Sequence, residues 1–282
     1  FTTVTVPQVD SAMANPTPPH VIEQAANEIR AEWGLGDAPI ANMLGLLESH
    51  GVIVTRGVLE TMAIDAFSVR IGVEGRPCMF LGADKDSAAR SRFDAAHELG
   101  HFVLHSSATP RLLMNAAERK ALEDEAHYFA SVFLLPASGF VRDLRAPTLE
   151  AMIAAKSKWV VSVGAMIQRC TDLEILKPPE AQRLWMTRAK RGWVRNEPLD
   201  EELPIEAPTT LRMAFDLLSE QGGVPKAQIA SDFALAQADI EALAGLPTGY
   251  FSDEPAPVRL LDRVPSAGQR ADPGKVVVFP GT

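Results

Sequence analysis

Apolar positions three and four residues apart dominate the middle of the chain. Phe93, Ala96, Leu99 and Val103 recur at that spacing, which puts them on one helix face. This predicts a helix capped by Ser87 or Asp86 that continues without Gly or Pro beyond Gly100 through Phe102-Val103-Leu104. A second helix is predicted over Leu122–Leu135, with Phe129, Val132 and Phe133 inward, and it is stopped by Pro136. Upstream, helices are expected from His20 to about Trp33, opened by Pro18-Pro19 and stopped by Gly34, and from Pro39 to about His50. Three strands are predicted between these helices and the central pair: Val52–Thr55, Ala66–Ile71 and Pro77–Leu81. The last two flank the turn Gly72-Val73-Glu74-Gly75-Arg76 and are expected to pair antiparallel. Past Pro136, helices are expected over Thr148–Lys156, Ser162–Leu173 and Pro178–Lys190. After a Pro- and Glu-rich stretch at 196–208, three more follow: Leu211–Glu220, Pro225–Phe233 and Gln237–Ala244. The pattern gives an α+β class, a small antiparallel sheet beside a central helix, with a helical C-terminal part. Residues 1–19 read as a linker or tail, 20–200 as the main domain with a helical cap, and 201–282 as a small helical domain and a Pro/Gly-rich tail. That tail includes one strand-like run, Lys275–Phe279.

Composition narrows the function classes. With 282 residues, 46% of them hydrophobic, the chain can bury a sizeable core. Lys+Arg number 27 against 36 Asp+Glu, a net charge of −9, which argues against a surface built for nucleic acid. From Glu201 to Thr282 the balance is 6 basic to 12 acidic residues, so packing or dimerisation suits the C-terminal helices better than phosphate contact. Residues 149–173 have a helix-turn-helix outline, but Val163-Gly164-Ala165-Met166-Ile167 is too apolar to read base edges, and a cap on the main core is the better account. The segment 183–195 holds five positive charges and two tryptophans. Docking against the acidic remainder explains it more simply than nucleic-acid binding. Two cysteines without CxxC spacing, no run of 18 apolar residues and no signal-like N-terminus give the expectation of a soluble, cytoplasmic protein that avoids membranes.

The chemistry concentrates at His97-Glu98-Leu99-Gly100-His101. Residues four apart on a helix lie about 40° apart around the axis and about 6 Å along it. His97 and His101 can therefore offer two imidazole nitrogens to one ion, and Glu98 can reach a water beside it. A hydrolytic site needs a third ligand and an open position. Glu123 and His127 share a face of the next helix and are the candidates, while Glu125 points elsewhere. His105 follows His97 by eight residues and reads as a helix-end histidine near the negative pole of the helix. Gly100 costs roughly 1 kcal/mol against alanine, which suggests that another chain or a substrate backbone passes close to it.

His97-Glu98-Leu99-Gly100-His101 ending in His105, then Glu123-x-x-Ala126-x-x-Phe129-Ala130 and Leu134-Leu135-Pro136, resemble the ImmA/IrrE family of zinc metallopeptidases. The similarity is to members that carry such a domain behind an N-terminal Xre-type helix-turn-helix. The resemblance implies a zincin-like metallopeptidase fold, Zn²⁺ on His97, His101 and Glu123, and Glu98 as general base. The family often has Asn or Asp where this chain has His127, so His127 is expected to orient a ligand, steady an oxyanion or replace Glu123. An extended substrate is expected to add to the strand at Ala66–Ile71 or Cys78–Leu81. The implied substrate is a regulatory protein, a helix-turn-helix repressor cut in a stress-response or mobile-element circuit. DNA contact is expected only through a module ahead of Phe1, and a homodimer is the other expected partner. The competing reading is a transcriptional regulator or sensor whose metal or ligand site performs no proteolysis. Glu98 argues for chemistry, since a structural zinc site has no use for a base.

Overall fold

A computed structural model describes residues 3–7, 16–58, 66–83, 86–106 and 115–252. Helix α1 (Pro19–Glu32) begins on a proline and buries Ile22, Ala25, Ala26 and Ile29 along one face. Helix α2 (Met43–Ser49) starts later than Pro39 because Asn42 caps it, accepting from the Gly45 N–H at 2.8 Å. The Glu206 carboxylate also accepts from the N–H groups of Met43 and Leu44 at 2.9 and 3.0 Å. Residues 3–7, expected to be tail, include the buried Val6, and the Thr5 carbonyl accepts from Trp33 Nε1 at 3.3 Å.

Strands β1 (Ile53–Gly57), β2 (Ala66–Ile71) and β3 (Arg76–Gly82) form one sheet in the order β1-β3-β2. The β2–β3 hairpin is antiparallel, with Val69 opposite Cys78. The sheet as a whole is mixed, which corrects the antiparallel expectation: β1 runs parallel to β3, with Ile53 opposite Cys78. The chain reverses between β1 and β2, and β3 then returns into the gap between them. It must therefore oppose the strand it has just left and match the other. Val54 and Met79 pair in register and are buried together against the helices. On the outer face Phe67 and Phe80 stack at 5.2 Å, and Phe67, Val69 and Ile71 remain substantially exposed.

Helix α3 (Ala88–Leu104) is capped by Ser87, and helix α4 (Ala116–Leu134) by Asn115. They pack against each other with β2 and β3 alongside α3. Helices α5 (Ala137–Leu144), α6 (Leu149–Trp159), α7 (Val163–Asp172) and α8 (Pro178–Lys190) complete this side. Met166, Ile167 and Cys170 of α7 belong to the main core, as expected of a cap and not of a base-reading helix. A buried ionic cluster joins this cap to α3. Glu197 accepts from Lys156 Nζ at 3.0 Å, from the Val163 and Gly164 N–H groups that open α7, and from Arg188. Asp200 accepts from Lys156 Nζ and from the Ser87 hydroxyl, each at 2.7 Å. Arg188 and Arg191 of the basic segment are thereby spoken for, by Glu197 and Glu150.

The C-terminal helices α9 (Thr210–Glu220), α10 (Lys226–Ser231) and α11 (Gln237–Ala244) close over their own cluster of Phe215, Ile229, Ile240 and Phe251. The strand-like run at 275–279 lies outside the described residues. None of the described helices is long and apolar enough to cross a membrane.

Candidate metal centre

Gly100 lies between the two motif histidines where α3 crosses α4. A Cβ there would stand 3.2 Å from both the Cα and the carbonyl oxygen of Ala126 and 3.1 Å from the Phe129 ring. The close passage expected at this glycine is thus another helix of the same chain. Glu123 is one turn before Ala126, so the approach that Gly100 permits carries the Glu123 carboxylate up to the histidines.

Three donor atoms meet there. His97 Nε2 is 3.0 Å from Glu123 Oε2 and 3.1 Å from His101 Nε2, and His101 Nε2 is 3.6 Å from Glu123 Oε2. The edge of a tetrahedron with bonds of about 2.0–2.1 Å is about 3.3 Å, and the three separations bracket that value. Two imidazoles and one carboxylate are also the donor set that borderline-soft Zn²⁺ accepts. The residues fit the ion. Glu123 is 54% exposed while His97 and His101 are mostly covered, which leaves the site open on the Glu123 side.

These groups line a cleft of about 990 Å³ between α3, α4 and β2. Glu98 lines it too and is only 7% exposed. His127 stands on the rim, its ring 4.7 Å from Phe93 and 6.2 Å from His97. Burial, and then the neighbouring His97, push its imidazole below the ordinary histidine range. His127 is not one of the three groups whose donor atoms converge. Among the described residues β2 is an edge strand bordering the cleft, whereas β3 is flanked on both sides and has no open edge.

His105 caps the C-terminus of α3, as its position predicts, but it does more than end a helix. Its Nδ1 is 2.8 Å from His101 Nδ1, and its Nε2 is 3.1 Å from Glu125 Oε2. The Thr17 N–H donates to Glu125 Oε1 at 2.7 Å. The i, i+4 relation of His101 to His105 was a readable signal for the first of these contacts. Nothing local announces the other two.

Residues 47–171 match the IrrE N-terminal-like domain of the peptidase M78 family. The stretch contains His97, Glu98, His101, Glu123 and His127. Among solved structures the chain is similar to one described as a Mycobacterium tuberculosis transcriptional regulator, with 19% identity and a TM-score of 0.40. The alignment covers 54% of this chain and 47% of that one, less than half of the regulator's length. No curated protein matches the chain. The resemblance first carried by the histidine motif thus extends over the sheet, the crossed helices and the first part of the cap, where residues 47–171 match the model of the IrrE N-terminal-like, peptidase M78 family.

Proposed function

We propose that this chain is a zinc-dependent endopeptidase of zincin-like fold that cleaves a regulatory protein, of the helix-turn-helix repressor kind, within a stress-response or mobile-element circuit. The observation that carries the chemistry is the convergence of His97 Nε2, His101 Nε2 and Glu123 Oε2 in an open cleft beside the buried Glu98. Zinc held by those three residues would supply Lewis acidity, acidifying water and polarising a peptide carbonyl. Glu98 takes the proton of the attacking water and returns it to the leaving amine. His127, on the rim, donates to the carbonyl oxygen as charge develops there. The open edge of β2 holds the substrate extended through main-chain hydrogen bonds, and Phe67 and Val69 offer apolar contact to its side chains. The substrate class rests on the family resemblance alone.

The test is zinc content by elemental analysis together with mass-spectrometric identification of new N-termini in a treated proteome. Wild type should bind about one zinc and generate discrete cleavages. Glu98→Gln should keep the metal and lose about 10²–10⁴-fold in cleavage rate. Glu123→Ala should lose the metal, and His127→Ala should keep it. Glu98→Gln cleaving at the wild-type rate would falsify the base assignment. Zinc binding with no cleavage of any protein would favour the sensor reading.

A further inference from the structure

We infer that His105 and Glu125 are positioning residues which decide the nitrogen that carries the proton of His101, and that the backbone of Thr17 sets the direction of the whole chain of hydrogen bonds. The inference rests on reading His101 as a ligand through Nε2.

The Thr17 N–H can only donate, so Glu125 Oε1, at 2.7 Å, accepts. A carboxylate has only lone pairs to offer, so at Glu125 Oε2 it is His105 Nε2 that donates, across 3.1 Å. A neutral imidazole protonated at Nε2 has a bare Nδ1. His105 Nδ1 therefore accepts, and its neighbour at 2.8 Å, His101 Nδ1, carries a proton and donates. The lone pair of His101 is left on Nε2, aimed at His97 and Glu123. A free histidine side chain favours its proton on Nε2, so the relay works against the intrinsic preference. The side chains of His105 and Glu125 are 5% and 7% exposed, which keeps water from offering either group a different partner. Outer partners of this kind typically affect metal affinity 10–100-fold.

The decisive variant is Glu125→Gln, which preserves shape. The Thr17 N–H still needs an acceptor, so the glutamine oxygen turns to Thr17 and its NH₂ faces His105 Nε2. His105 must then accept at Nε2, donate from Nδ1, and oblige His101 to hold its proton on Nε2, where it blocks the ligand position. His105→Ala removes the relay without reversing it.

The experiment has two readouts on the full chain. ¹⁵N NMR of the metal-free protein reports the His101 tautomer, and competition with a chelating zinc indicator reports affinity. The expected result is a protonated Nδ1 in wild type, a protonated Nε2 in Glu125→Gln, and about 10–100-fold weaker zinc binding in Glu125→Gln and His105→Ala. Wild-type His101 protonated on Nε2 overturns the inference without any variant having to fold. So does a Glu125→Gln protein that binds zinc as tightly as wild type with an unchanged tautomer, and that result leaves the peptidase reading intact. If wild type binds no zinc but the tautomer reverses as described, the positioning role is supported and the peptidase reading fails.

Discussion

Gly100 is the residue whose substitution separates packing from propensity most cleanly. Alanine is worth about 1 kcal/mol more than glycine inside a helix. Overpacking costs about 1–3 kcal/mol, and the upper part of that range applies here because two of the three opposing atoms are backbone of Ala126, which cannot rotate away. Gly100→Ala should therefore lower stability in urea titration, and it should weaken zinc binding by moving Glu123 away from His97. Stability raised by the full propensity gain, with zinc affinity unchanged, would show that the helices do not meet at this point. At this scale the sequence is readable where chemistry depends on spacing within one helix. His97, Glu98 and His101 announce themselves by position, whereas spacing alone leaves Glu123 and His127 as rival third ligands, and the choice of Glu123 comes from the family resemblance. The pairing of His105 with Glu125 was hidden because it joins residues 20 apart on different helices. Whether they meet depends on how the helices cross, which no periodicity encodes.

Among the elements, the ionic cluster beneath α6, α7 and α8 makes the sharpest predictions. Glu197 is 2% exposed at its side chain and is shared by Lys156, Arg188 and the opening N–H groups of α7. Glu197→Ala leaves Lys156 buried with Asp200 alone and orphans the start of that helix, at a cost of roughly 3–5 kcal/mol. Thermal denaturation should show it as a large drop in Tm; a drop within error would mean that water replaces the carboxylate. Asp200 gives this cluster its pH response. Burial works to raise its carboxyl, but Lys156, the Glu197 N–H and the Ser87 hydroxyl outweigh that and hold it below the usual range. A carboxyl lowered in the folded state contributes stability that is complete above its unfolded value near ~3.9 and is lost as pH falls through the folded value. Wild-type stability should thus decline between about pH 4 and lower pH, and Asp200→Asn should flatten that limb of the urea midpoint against pH. Element identity was legible from period and punctuation, and the β2–β3 pairing from its short turn. The parallel pairing of β1 was not, because strand direction depends on which gap β3 enters. The late start of α2 was hidden as well, since half of its cap is Glu206, far away in sequence.

Across the whole molecule, distant segments are stitched to the helix that carries the motif. Glu206 pairs with Arg92 of α3, itself 5% exposed, while Thr209 and Thr210 donate backbone N–H groups to Glu48 at the end of α2. A boundary drawn at residue 200 from composition alone cuts through these bonds. A chain ending there should fold less stably than the full chain, with Arg92 stripped of its carboxylate and α2 of its anion. Differential scanning calorimetry of the two lengths checks this, and equal melting temperatures would show that the C-terminal helices are an independent attachment. The Pro- and Glu-rich stretch at 196–208 reads as a boundary in the sequence because the partners of Glu206 lie about 110–160 residues away in the chain.

Gly100 and Ala126, which set the gap between the crossed helices, have no χ angle between them. The separation of the two helix backbones at the site is consequently set without any side-chain rotamer, and only the side chains of His97, His101 and Glu123 are left to be ordered. The backbone frame of the centre is therefore in place once the core has collapsed. If the site takes zinc as proposed, removing the ion with a chelator should leave the fold intact, and unchanged far-ultraviolet circular dichroism before and after chelation checks it.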